Sequence, residues 1–164
     1  MGIYLGEFAQ ILNKVITNTT VETSLLNLTA NTSKSWNSDI LAVGRTFLIK
    51  LRGFASRQGG NVTIKIKLGS TIIATTGSVN PSSLNNDMFE IDFLFTVRSI
   101  GVNGKIIGQG LFKNFSDNST LQIKNTVETT INTTILNAFD ITWQWATANV
   151  GNTVTSTNLI LITK

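Results

Sequence analysis

The chain has 164 residues, enough for one domain that buries a hydrophobic core without disulfides. It contains no cysteine and no histidine, which excludes thiolate metal sites, Ser-His-Asp catalysis and the commonest general base. The net charge is +4, but only 13% of the residues are charged and the Lys and Arg residues are scattered. We therefore expect no nucleic-acid partner. No apolar run is long enough to cross a bilayer, so we also expect no membrane insertion.

The first predicted elements lie in residues 1–38. Residues 1–13 mix apolar and polar positions, which leaves two interpretations: an edge strand or frayed end, or a segment for attachment or trimer packing. The predicted domain then covers residues 14–164. Residues 15–28 are rich in Thr and alternate, which predicts one strand or two short ones. Residues 31–38 are predicted to form a polar loop, where an exposed Trp36 is the candidate receptor contact.

Alternation of apolar and polar residues continues from residue 45. It predicts strands over 45–55 and 62–68, separated by a turn at 57–60. Gly69-Ser70 then predicts a hairpin with a type II′ turn, because Gly supplies the positive φ that this turn requires. Residues 77–87, which include the single proline, are predicted to form a loop.

The best-defined strand covers residues 89–97. Its apolar residues fall at every second position, so they all face one core. They are Phe89, Ile91, Phe93, Phe95 and Val97. We predict that this strand lies in the middle of a sandwich.

Further strands follow after a turn at residues 101–104. Residues 105–115 are predicted to form a strand in which Gly108 and Gly110 mark a bulge or a close approach of the backbone. Shorter strands are predicted at 120–124 and within 126–135, and longer ones at 139–145 and 153–163. About eight to ten strands with no convincing helix predict an all-β fold, an antiparallel β-sandwich of jelly-roll type.

Two strands are apolar on both faces. Residues 159–162 are four consecutive Leu and Ile residues, and Leu94 falls on the polar face of the central strand. One interpretation is a central strand covered by a loop, and the other is a contact between subunits. On the second interpretation, Leu94, Ile160 and Ile162 form the oligomer interface, each contributing about 1.5–3 kcal/mol when buried.

Several segments resemble the jelly-roll head domains of bacteriophage and other viral fibre or tail-appendage proteins. They are Val43-Gly44 with the strand that follows, TIKIKLGSTIIATTG at 63–77, FTVRSIG at 95–101, ITWQWA at 141–146, and GNT at 151–153 with the closing strand. The resemblance implies a homotrimer on the virion surface that attaches to a host receptor or glycan. Other virion proteins are then its neighbours. A capsid decoration or minor capsid protein without receptor binding is the alternative.

Catalytic chemistry finds little support in the sequence. Glu90 and Asp92 share one strand face and could form the carboxylate pair of a glycoside hydrolase. A solvated strand face explains the same spacing, and we favour it. We therefore predict that the chain is not an enzyme and has no catalytic residue, cofactor or metal site.

Overall fold

A computed structural model describes residues 8–9, 12–27, 35–36, 39–81 and 84–163. Within these ranges the chain forms strands and turns and no helix. The thirteen strands are β1 (Phe8–Ala9), β2 (Lys14–Thr17), β3 (Thr23–Ser24), β4 (Ser35–Trp36), β5 (Thr46–Arg57), β6 (Val62–Leu68), β7 (Thr71–Thr75), β8 (Leu84–Ser99), β9 (Gly104–Asn114), β10 (Thr120–Lys124), β11 (Thr129–Ile131), β12 (Asn137–Trp145) and β13 (Thr153–Thr163).

The strands pair in a nested antiparallel order. β2 pairs with β13, β3 with β12, β5 with β8, and β6 with β7. β13 also pairs with β5, and β12 with β6. This nesting of early strands with late ones produces a double Greek key. The predicted all-β antiparallel sandwich of jelly-roll type is confirmed.

Two layers result from this pairing. The large sheet has the order β13-β5-β8-β9-β10, with β1 and β2 along the free edge of β13. The small sheet has the order β7-β6-β12, with β3 and β4 on β12. Lys124 of β10 pairs with Thr75 of β7 and joins the two layers on one side.

Aromatic rings fill the space between the two sheets. Alternation sends the five apolar residues at 89–97 inward, and all are buried. Trp36 stacks between Phe47 of the large sheet and Phe139 of the small one, with ring centroids 4.8 and 5.2 Å away. Phe89 of the large sheet also meets Trp143 of the small sheet, with ring centroids 5.8 Å apart. The prediction that residues 89–97 cover the core is confirmed.

Glycines on the neighbours of β8 make room for its rings. Gly110 and Gly108 of β9 lie opposite Phe93 and Phe95 in the register. A Cβ on Gly108 would lie 2.6 Å from the tip of the Phe93 ring. The predicted alternative of a close backbone approach is therefore confirmed at these two positions, since the register runs unbroken through both.

The turns agree well with the sequence predictions. Gly69 has a φ of 59° and the next residue stays at negative φ, as a type II′ turn requires. Residues 101–104 also form a turn, closed by a hydrogen bond that the Gly104 amide donates to the Gly101 carbonyl at 3.2 Å.

Some predicted boundaries were wrong. β8 begins at Leu84, so the last four residues of the predicted loop at 77–87 belong to a strand that pairs with β5. Thr-rich residues 126–135 contribute only the three residues of β11. The strand count is higher than expected because four strands have only two or three residues, too few to show alternation. Of the predicted segment 1–13, the structure describes only β1 and residues 12–13. Its attachment role therefore stays a prediction.

Candidate functional site

The outer face of the large sheet carries its side chains in rows across the strands. This face consists of the outward residues of β13, β5, β8 and β9, and the pairing register sets which residues share a row. From one end to the other we call them the aromatic row (Phe54, Met88), the charged row (Asn158, Arg52, Glu90, Lys113), the mixed row (Ile160, Lys50, Asp92, Leu111), the leucine row (Ile162, Leu48, Leu94, Gln109) and the threonine row (Thr46, Thr96, Ile107).

The three predicted interface residues lie together on this face. Leu94 and Ile162 flank Leu48 in the leucine row, so the two predicted residues are about 10 Å apart at the usual strand spacing. Ile160 belongs to the neighbouring mixed row. Ile160 is 52% exposed and Leu94 is 42% exposed, whereas Ile162 is half-buried. The structure therefore brings the predicted residues onto one surface, and their contact with another subunit stays a prediction.

Ion pairs occupy the centre of the outer face. Lys50 Nζ lies 2.8 Å from Asp92 Oδ2, and Arg52 Nε donates to Glu90 Oε2 at 2.6 Å. The hydrogen bond to Asp92 raises the pKa of Lys50, against a smaller opposing effect of burial. Glu90 and Asp92 are thus bound to cations on an open sheet, which is not the arrangement of an acid and a nucleophile facing a sugar.

The aromatic row was missed by the sequence predictions. Phe54 lies opposite Met88 and both are exposed. The backbone amide of Phe115 donates to the Met88 carbonyl at 3.0 Å, and Lys113 Nζ of the charged row lies 4.8 Å from the centroid of the Phe115 ring. Alternation from Phe47 places Phe54 on the outward parity, so the sequence held the signal.

The prediction that Trp36 is an exposed receptor contact was wrong. Trp36 is 1% exposed, since β4 pairs with β12 and places the indole between the two sheets. Polar neighbours in the sequence suggested a loop, but two residues of strand are enough to turn one side chain inward.

The turn at 57–60 and the connection at 146–152 lie at one end of the sandwich, and Asn152 holds part of this end together. Asn152 is fully buried and its side chain accepts a hydrogen bond from the Gln58 amide at 2.8 Å. It also donates to the carbonyl oxygens of Gly59 and Thr147 at 3.0 and 3.1 Å. A shallow polar groove beside them is lined by Arg57, Gln58 and Asn85, among others.

A second charged cluster covers the outside of the small sheet. Glu22 accepts hydrogen bonds from Lys65 at 2.5 Å, from Lys67 at 3.0 Å and from Thr142 at 2.9 Å. The bond from Lys65 contributes most to lowering the pKa of Glu22 to about 2, although burial acts in the opposite direction. The cluster links the β2–β3 connection to β6 and β12, which gives it a structural role.

In the described part of the chain, no three acidic side chains lie close enough together to hold a metal ion. The same part contains no helix of the length and apolar character that a membrane crossing needs.

Comparisons with known proteins give a likeness in shape alone. No family model matches the chain. No curated protein matches it either. Among solved structures, the lectin UEA-II complexed with galactose is 7% identical, with 96% of this chain and 92% of that chain covered and a TM-score of 0.43.

Two lyases are also similar in shape. The polysaccharide lyase family 18 protein aly-SJ02 is 8% identical over 93% of this chain and 88% of its own, with a TM-score of 0.30. The alginate lyase from Alteromonas sp. 272 is 8% identical over 74% and 72%, with a TM-score of 0.25. All three TM-scores lie below 0.5, so neither galactose binding nor lyase activity is transferred to this chain.

Proposed function

We propose that the chain is a structural protein without catalytic activity that assembles with copies of itself through the outer face of the large sheet. One observation carries the proposal. Ile160 and Leu94 are exposed beside half-buried Leu48 and Ile162, on a sheet whose opposite side already covers the core. A sheet that faces solvent is normally polar on that side. Exposed apolar residues in adjoining rows mark an interaction surface.

The proposed setting is a virion surface. There the chain would serve as the head domain of a fibre or tail appendage that attaches to the host, with a capsid decoration protein as the alternative. A low content of charged residues, 13% of the chain, supports burial between subunits because few ions need to be desolvated. The end loops tied by Asn152 supply a firm support for a receptor or glycan contact. The homotrimer stays a prediction of the resemblance.

Light scattering of the purified chain in dilute buffer tests the assembly. We expect a mass above the 17.8 kDa of one protomer. Ile160→Asp and Leu94→Asp should each return the protein to a folded monomer, because a carboxylate would be desolvated in the contact. Val150→Asp is the matched control, since Val150 is exposed in a loop away from this face and the assembly should survive.

A monomeric wild-type chain would overturn the proposal. The proposed location on the virion surface needs a separate measurement, namely immunogold electron microscopy of virus particles that carry the chain. Label at the tip of an appendage supports host attachment, and label spread over the shell supports decoration. The absence of label from particles would contradict both settings.

A further inference from the structure

The outer face has a chemical symmetry that follows from its register. On the outer face, the cross-strand pairs between β5 and β8 from Thr46 to Phe54 join residues of matching or opposite character. The pairs are Phe54 with Met88, Arg52 with Glu90, Lys50 with Asp92, Leu48 with Leu94, and Thr46 with Thr96. Exchanging the two strands would therefore leave an apolar residue opposite an apolar one and each cation opposite an anion.

The flanking strands continue this symmetry in the mixed row. Ile160 of β13 stands beside Lys50, and Leu111 of β9 stands beside Asp92. The row thus runs apolar, cation, anion, apolar. Ile160 and Leu111 are both about half-exposed, and Lys50 and Asp92 keep roughly two fifths of their side-chain surface accessible, 39% and 43%.

From this pattern we infer that two copies of the chain pack their outer faces together about a two-fold axis. The axis runs parallel to the strands, midway between β5 and β8. It lays β5 of one copy over β8 of the other and keeps each row over the same row. Lys50 then meets Asp92 of the second copy, Leu48 meets Leu94, and Ile160 meets Leu111.

Charge complementarity selects a second copy as the occupant of this face. Each ion pair within a protomer joins its counterpart in the other copy to form a network of four alternating charges, in which no charge is buried without a partner. Aligned sheets of a sandwich pack about 10 Å apart, a distance that Lys, Arg and Leu side chains can fill from both sides. This inference rests on the proposed function for its use of the outer face. A two-fold contact joins two copies, so it differs from the homotrimer that the resemblance implies.

Cross-linking between engineered thiols tests the axis, because the natural chain has no cysteine. Ile160→Cys and Leu111→Cys proteins are prepared separately, and each is treated with a short bis-maleimide alone and after mixing. The axis places residue 160 of one copy over residue 111 of the other. Two residues 160 would lie on opposite flanks of the contact, about 14 Å apart sideways at the usual strand spacing. We expect several-fold more cross-linked dimer in the mixture than in either protein alone.

A second measurement reverses the charges on β5 and β8 together, so that every ion pair within a protomer is kept. The variant K50E/R52E/E90K/D92K exchanges the signs on both strands, so it should fold and pair with itself. In a mixture with the wild type, like charges would face each other across the axis. Native mass spectrometry should then show mixed dimers several-fold below the share expected from random pairing.

The outcomes separate the two proposals. Equal cross-linking in mixed and single samples, or random formation of mixed dimers, overturns the two-fold axis while assembly through this face stands. Oligomers that form without any cross-link in the mixture overturn the axis in the same way. A wild-type protein that stays monomeric overturns both proposals.

Discussion

Gly110 lies directly opposite Phe93 in the ladder between β8 and β9. A Cβ placed on Gly110 would lie 2.1 Å from the carbonyl oxygen of Asp92 and 2.9 Å from Cδ2 of Phe93. Both distances are well inside van der Waals contact, so the sheet can keep its spacing here only with glycine. The same arrangement recurs where Gly53 of β5 lies opposite Phe89. β8 thus places large rings where its neighbours have no side chain.

Gly110→Ala should destabilise the fold. The added methyl group meets backbone that cannot rotate away, so we expect the free energy of unfolding to fall by at least about 1–3 kcal/mol. Urea unfolding followed by tryptophan fluorescence measures the change. Thr120→Ala is the control, because Thr120 is exposed at the start of β10, and it should alter stability by no more than about 0.5 kcal/mol. Equal stability of the two variants would contradict the steric argument.

Trp36→Ala should cost about 3–5 kcal/mol, the usual loss for a large aromatic residue removed from a core. Trp36 stacks on Phe47, Phe95 and Phe139, so its loss opens a cavity between the sheets. Trp36→Phe keeps a ring in the stack and should cost less. Thermal or urea unfolding checks both variants. A Trp36→Ala protein as stable as the wild type would restore the interpretation of Trp36 as an exposed contact.

The stability of the chain should depend on Glu22 in a defined pH range. Its pKa is about 2 in the folded chain against an ordinary value of 4.5, so its contribution is complete above pH 4.5 and disappears as the pH falls towards 2. Glu22→Gln should therefore lower the free energy of unfolding at pH 7 by about 1–2 kcal/mol, a figure reduced for solvent screening. The difference from the wild type should vanish near pH 2.

Unfolding curves at several pH values measure this effect. Glu128→Gln is the matched control, because Glu128 is exposed in the connection before β11. Its difference from the wild type should stay small at every pH. A Glu22→Gln variant with the same deficit at pH 2 as at pH 7 would show that the carboxylate charge is not the cause.

Asn152→Ala should loosen the loop end of the sandwich. The change removes three part-buried hydrogen bonds, from the backbone amide of Gln58 and to the carbonyl oxygens of Gly59 and Thr147. Each lost hydrogen bond of this kind costs about 0.5–1.5 kcal/mol. Hydrogen exchange at Gln58 should become faster, and urea unfolding should shift to lower concentration. Asn103→Ala, in an exposed turn at the opposite end, should leave both measurements unchanged.

Much of the fold follows from the sequence because a strand has a period of two. Alternation from Phe89 to Val97 determined which residues of β8 meet the core, and Gly69-Ser70 determined the turn between β6 and β7. Leu94 and Ile160 were also identified from parity alone, since they are apolar residues on faces that should be polar. These features depend only on local geometry.

The tertiary structure decided which residues of distant strands lie together, which the alternation along a single strand cannot show. Whether Trp36 faces solvent or the core depends on β12, which lies about 100 residues away and pairs with a strand of only two residues. Likewise, Lys50 lies opposite Asp92, and Leu48 opposite Leu94, only because of the register between β5 and β8. A shift of one residue in that register would place every side chain against a different partner. The sequence by itself determined the two faces of each strand, and only the pairing of distant strands determined the rows.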